Sequence, residues 1–171
     1  MVRKVGQVEY RVEPLGPNHD RVAFCCGVSE LDAYLQRQAG QDHRRNLAAV
    51  FVLTTDNKTV AGFYTLSAHS ILAADLPQEL VGKLPRFPLP VTLLGRMAVA
   101  QSLQGQGLGE HLLLDALERV RLGARHVASW AVVVDAKPGA RGFNLKRDFK
   151  AFLTQPERLF LPMKTVEAMF E

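Results

Sequence analysis

The sequence predicts a mixed α/β domain, a sheet with helices on both faces, and three observations predict it. The apolar residues 91–100 run into glycines at alternate positions, Gly105, Gly107 and Gly109. From there Leu108, Leu112, Leu113, Ala116, Leu117 and Val120 recur at helical spacing. Residues 127–134 have almost no polar alternation, the mark of a strand covered on both faces, as in a mostly parallel layer. Residues 48–54 and 60–67 are apolar runs around the turn Asp56-Asn57-Lys58 and read as a hairpin.

The other elements follow in chain order. Residues 8–13 alternate in part and predict the first strand, which Pro14 and Pro17 end. Phe24, Cys25, Cys26 and Gly27 form a turn. Ser29 reads as a helix N-cap with an acid, Asp32, three positions on. Leu31, Tyr34, Leu35, Gln38 and Ala39 then give one buried face over roughly four turns. The opposite face and the end carry Arg37, Gln41, His43, Arg44 and Arg45, either a solvated basic face that suits the helix C-terminus or an edge that binds a polyanion. Asp75 reads as the cap of a short helix reaching Leu80. The prolines Pro85, Pro88 and Pro90 exclude regular helix and central strand, so residues 83–90 are an ordered loop carrying Lys83 and Arg86. Lys137, Pro138 and Gly139 break the strand at 127–134. Residues 140–147 predict a short helix weakened by Gly142. Residues 149–152 and 159–163 read as final strands, and 166–170 as a terminal turn.

Composition sets the bounds. The 171 residues, 47% hydrophobic and 22% charged, suit one domain spanning 1–171 with a real core. No apolar run approaches the ~20 residues of a membrane span, and the first residues lack the apolar core of a signal peptide. Cys25 and Cys26 are neighbours and read as free thiols of a reducing cytoplasm. A net charge of +4 does not by itself imply a nucleic-acid partner.

Strand, glycine loop and helix start together predict a phosphate site. Glycines let backbone approach a ligand, and the first turn of a helix offers unpaired N–H groups and a dipole that favours anions. The dinucleotide pattern Gly-x-Gly-x-x-Gly and the ATP-loop ending Gly-Lys-Ser/Thr are both absent. Gln104-Gly105-Gln106-Gly107-Leu108-Gly109 instead resembles the Gln/Arg-x-x-Gly-x-Gly/Ala loop by which Gcn5-related N-acetyltransferases (GNAT proteins) hold the pyrophosphate of acetyl-CoA.

A wider resemblance covers residues 24–165. The segments 24–35, Gly62-Phe-Tyr-Thr-Leu-Ser67, Leu94-Gly-Arg-Met-Ala-Val99, 104–109, 112–117, Val134-Asp-Ala-Lys137 and 158–165 together resemble the acetyltransferase-type toxins of type II toxin–antitoxin modules. The resemblance implies a GNAT fold, a central mixed, mostly antiparallel sheet splayed at the acetyl-CoA site with helices on both faces. It implies acetyl transfer from acetyl-CoA, with no metal, to the α-amine of aminoacyl-tRNA, which blocks translation. It also implies a cytoplasmic homodimer away from any membrane, neutralised by a ribbon-helix-helix antitoxin through which alone it reaches operator DNA.

The same resemblance assigns residues. The backbone of Met97, Ala98 and Val99 pairs with the pantetheine arm and meets the oxyanion, and Gln104, Gly105, Gln106, Gly107, Leu108 and Gly109 hold the pyrophosphate. Arg37, His43, Arg44, Arg45, Lys83 and Arg86 grip the tRNA acceptor end. The α-amine of an aminoacyl ester sheds its proton easily, so no strong general base is required. The departing thiolate does need a proton, which the family supplies from a tyrosine. Here Asn144 stands at that position, and Asp148 stands at a family glycine four residues on. Asparagine hydrogen-bonds a thiolate but gives it no proton, and losing an acid costs about 10²–10⁴ in rate. Tyr64, His69, His111 and His126 are the remaining candidate donors. Two other readings stay open: a weakened or inactive acetyl-CoA-binding homologue, and an acetyltransferase of this fold acting on another amine.

Overall fold

A computed structural model describes residues 2–135, 147–155 and 157–171. In chain order they form β1 (Val2–Val5), β2 (Val8–Pro14), α1 (Ser29–Arg37), α2 (Ala39–Arg44), β3 (Ala49–Thr54), β4 (Gly62–Ile71), α3 (Gln78–Val81), β5 (Leu89–Val99), α4 (Leu108–Gly123), β6 (Ala131–Asp135), β7 (Lys150–Ala151), β8 (Arg158–Pro162) and α5 (Met163–Met169). The chain divides into two units, Met1–Ser67 with Gly95–Ala116, and Ala68–Leu94 with Leu117–Glu171.

In the first unit the strands run in the order β1-β2-β3-β4-β5. β1 to β4 are antiparallel, with Val5 opposite Val8, Val12 opposite Leu53 and Val52 opposite Phe63. The first strand at 8–13 is therefore second, because Gly6 takes φ +61° and folds Val2–Val5 back as β1. The core gathers around Phe63, which meets Phe24 edge-on at 5.6 Å and stacks on Tyr34 at 6.3 Å. Leu35, Val50 and Val52 close it, all fully buried. The apolar stripe of α4 falls as its spacing predicts: Leu108, Leu112, Leu113 and Ala116 are at most 1% exposed.

In the second unit the order is β4-β5-β6-β8-β7. β5 and β6 are parallel, and their pairing lasts only from Thr92 opposite Val132 to Leu94 opposite Val134. β6 and β8 are antiparallel over five pairs, from Ala131 opposite Pro162 to Asp135 opposite Arg158. The strand expected over 127–134 is β6, Ala131–Asp135, with one parallel and one antiparallel neighbour. Phe160 centres this core, 5.2 Å from the Phe152 ring and 6.0 Å from Trp130.

Several expectations are corrected. Val28, not Ser29, precedes α1, and no side chain caps it; Asp32 instead accepts the Cys26 N–H at 2.8 Å. The four-turn helix is two helices, because Gln38 at φ −117° breaks it, and Gln38 itself is exposed. Asp75 ends a 3₁₀ turn and Pro77 precedes α3, so the Asp75 carboxylate accepts the Thr154 hydroxyl at 3.3 Å instead of capping. Val127 is 78% exposed, because its N–H bonds back to the Gly123 carbonyl at 3.0 Å and so cannot join a ladder. The terminal turn at 166–170 is the end of α5, seated by the fully buried Val166. The helix expected over 140–147 lies outside the described residues except Arg147. Among the described residues no helix is long and apolar enough to cross a membrane.

Candidate active site

The first unit builds the site. Gly62 lets β4 lie against β5: a Cβ there would come within 2.8 Å of the Ala98 carbonyl oxygen. The Ala100 N–H bonds the Ala61 carbonyl at 2.8 Å and the Gln101 N–H bonds that of Cys25 at 2.8 Å, and a 3₁₀ turn over Gln101–Leu103 follows. The Gln104 amide then donates to the carbonyls of Val99 (3.0 Å) and Cys26 (2.9 Å). Its side chain thus fixes the loop to the end of β5. Gly105 and Gly107 take φ +83° and +80°, the left-handed region closed to most side chains. α4 opens at Leu108, and its first bond runs from the His111 N–H to the Gly107 carbonyl at 3.2 Å. The N–H groups ahead of that bond have no carbonyl in their own helix, and the dipole adds positive potential there.

Beneath this loop lies a polar core. Tyr64, fully buried, donates its hydroxyl proton to Asp115 at 2.6 Å. His111 is 4% exposed and its Nε2 has no hydrogen-bond partner among the described residues. Burial pulls the His111 pKa below its ordinary value; Asp115 opposes that and Arg3 reinforces it. Two of the four alternative proton donors are thereby committed to the core. Tyr64→Phe leaves a buried carboxyl oxygen short of a donor and should cost about 1–3 kcal/mol of stability. His111 has a separate signature. Its folded pKa is depressed, so the unfolded chain takes up the proton first and stability falls as pH drops below about 6.5. Thermal melts at pH 7.5 and 5.5 should show a smaller loss for His111→Gln than for wild type; equal losses would exclude the linkage.

The other two donors lie in the second unit. His69 is exposed on β4 with Nε2 3.4 Å from Arg158, whose guanidinium grips Asp135 at 2.7 and 3.2 Å. His126 is exposed in the turn after α4. Asn144 lies outside the described residues. Asp148 takes φ +70°.

On β5, the Arg96 N–H donates to the Thr65 hydroxyl at 3.1 Å, and its guanidinium carbon lies 3.7 Å from the centre of the Tyr34 ring. Ala98 is buried, and Met97 and Val99 are half-buried. Tyr34 donates to Asp42 at 3.0 Å, and burial, helped by that bond, pushes its pKa up to about 12. Both cysteines are free; burial, with Asp32 beside it, pushes the Cys26 thiol up to about 11. Among the described residues no three His, Cys, Asp or Glu side chains cluster as metal ligands would.

The basic residues sort differently from their sequence order. Arg37, Arg44 and Arg45 are exposed in the first unit. His43 accepts the Val50 N–H on Nδ1 at 3.0 Å as β3 begins. Arg21, which sequence reasoning missed, joins Arg44 against Gly40. In the second unit Lys83 and Arg86 are exposed in the loop before β5.

A glycine turn held by Gln104 between a strand and an anion-attracting helix start, on a mixed sheet, is an arrangement suited to a phosphorylated ligand. The family model of the acetyltransferase (GNAT) domain matches residues 27–165, and the chain belongs to that family. The tRNA-acetylating toxin of Mycobacterium tuberculosis (strain ATCC 25618 / H37Rv) is 38% identical over 151 residues, covering 88% of this chain and 90% of that protein. The crystal structure of a tyrosine-to-phenylalanine mutant of KacT matches with a TM-score of 0.90 and 27% identity, over 94% of this chain and 99% of that one. AtaT complexed with acetyl-methionyl-tRNAfMet matches at 0.88 and 28%, over 95% and 99%. A mutant AtaT bound to the C-terminus of the antitoxin AtaR and acetyl-CoA matches at 0.81 and 26%, over 94% and 98%.

Proposed function

We propose that this chain, a single domain over residues 1–171, is a toxin-type N-acetyltransferase that moves acetyl from acetyl-CoA to the α-amine of aminoacyl-tRNA. The observation that carries the reading is the near full-length relationship to a tRNA-acetylating toxin, joined to the Gln104–Gly109 turn at the start of α4. In this reading the backbone of Gly105 to Gly109 holds the pyrophosphate, and the N–H groups of Met97, Ala98 and Val99 meet the pantetheine and the developing oxyanion. The Arg96 N–H takes no part, since Thr65 occupies it. Arg37, Arg44, Arg45, Lys83 and Arg86, with Arg21 added, supply sequence-independent phosphate contacts to the tRNA. His43, bonded to the Val50 N–H through Nδ1, joins them. The partner is a ribbon-helix-helix antitoxin through which the protein, a cytoplasmic homodimer, reaches operator DNA; AtaT bound to AtaR supports the antitoxin.

A second reading, an acetyl-CoA-binding protein of weak or no turnover, is favoured by Asn144 alone. Labelled acetyl-CoA offered to charged and uncharged tRNA pools decides between them. Label on the charged pool only is the expected result. No label, with acetyl-CoA binding intact by calorimetry, removes the enzyme and leaves the binder.

A further inference from the structure

Arg3 has no place in the reading so far. On β1 it stands opposite Tyr10, and cross-strand partners share a face of the hairpin. Tyr10 is buried, while Arg3 itself is exposed. Its guanidinium lies against the glycine turn: a Cβ built on Gly107 would sit 2.7 Å from Arg3 Nη2 and 3.4 Å from Cζ. No described residue gives it a hydrogen bond or an ion pair.

The sign of this arrangement is informative. A cation beside the start of a helix faces the positive pole of the dipole, where an anion is favoured and a cation is not. Below it, His111 is a buried ring with an unpaired Nε2. A positive helix start and an exposed guanidinium beside it together favour a negative group. Gly107, having no side chain, leaves Arg3 free to reach it.

We propose that Arg3 is a ligand for a phosphate of acetyl-CoA, a side chain of the N-terminal hairpin that completes the backbone turn at Gly105–Gly109. The inference rests on the cofactor reading above. Guanidinium forks match phosphate oxygens, and a charge-assisted hydrogen bond to phosphate is among the stronger single contacts a side chain makes.

The test is calorimetric titration of wild type, Arg3→Ala and Arg3→Lys with acetyl-CoA and with its analogue lacking the 3′-phosphate. Arg3→Ala should bind acetyl-CoA about 10–100-fold more weakly, and Arg3→Lys should recover part of the loss. The melting temperature without ligand should stay unchanged, which separates a ligand contact from a structural one. An equal loss with both ligands assigns Arg3 to the pyrophosphate, and a loss confined to acetyl-CoA assigns it to the 3′-phosphate. Wild-type affinity in Arg3→Ala overturns the proposal and leaves the cofactor reading standing. Failure of wild type to bind either ligand overturns both.

Discussion

Replacing Asn144 by tyrosine should raise the rate of acetyl transfer to charged tRNA by about 10²–10⁴-fold, the usual contribution of a positioned acid. Acetyl-CoA affinity should hardly change. An acid that acts as the thiolate leaves touches only the transition state, so the gain belongs in kcat and equally in kcat/KM. An asparagine carboxamide can hydrogen-bond a thiolate but has no acidic proton to give it. Nor do the described residues supply a ready substitute in the first unit, where Tyr64 is spent on Asp115 and His111 is buried with a lowered pKa. Four residues beyond Asn144, Asp148 takes φ +70°, the left-handed conformation that glycine favours. Single-turnover transfer by Asn144→Tyr, alone and with Asp148→Gly, is the measurement. An unchanged rate in both would show that the proton reaches the sulfur from elsewhere, with His69 the next residue to replace.

What the sequence made legible, and what it hid, follows from the range of the interactions. The stripe Leu108, Leu112, Leu113, Ala116, Leu117 and Val120 announced α4 because a period over four turns is a local signal with many votes. The glycines announced the turn because only glycine takes φ near +80° cheaply. Capping was misread at Ser29 and Asp75 because both depended on a competitor elsewhere in the chain: the Cys26 N–H claimed Asp32, and Thr154 bonded Asp75. Val127 looked like strand because hydrophobicity alone does not show that its N–H is held by the helix before it. At the site the loop residues were legible as a motif. Gln104 was legible in position but not in action, since its side chain serves two carbonyls 78 and 5 residues away in sequence. Arg3, Arg21 and the Tyr64–Asp115 pair carry no motif; only folding brings Arg3 to Gly107, Arg21 to Gly40 and Tyr64 to Asp115.

The glycine turn should be the most sensitive element of cofactor binding, and its two left-handed residues should not be equally so. An alanine forced into the left-handed region costs roughly 1–2 kcal/mol. The loop either bears that strain or relaxes, and a relaxed loop no longer aims its N–H groups at the pyrophosphate. Gly105 has open space where a Cβ would go, so Gly105→Ala carries the strain alone and should weaken acetyl-CoA binding about 10-fold. At Gly107 the new methyl also meets Arg3 Nη2 at 2.7 Å, so the guanidinium must leave its seat. Gly107→Ala should therefore weaken binding about 100-fold, the strain and the loss of a charge-assisted contact acting together. These two losses separate in a double-mutant cycle. In an Arg3→Ala background Gly107→Ala should cost no more than Gly105→Ala does, because the side chain it displaces is already gone. Calorimetry on the four proteins measures the coupling. A full 100-fold penalty for Gly107→Ala without Arg3 would mean that the turn acts through its backbone alone.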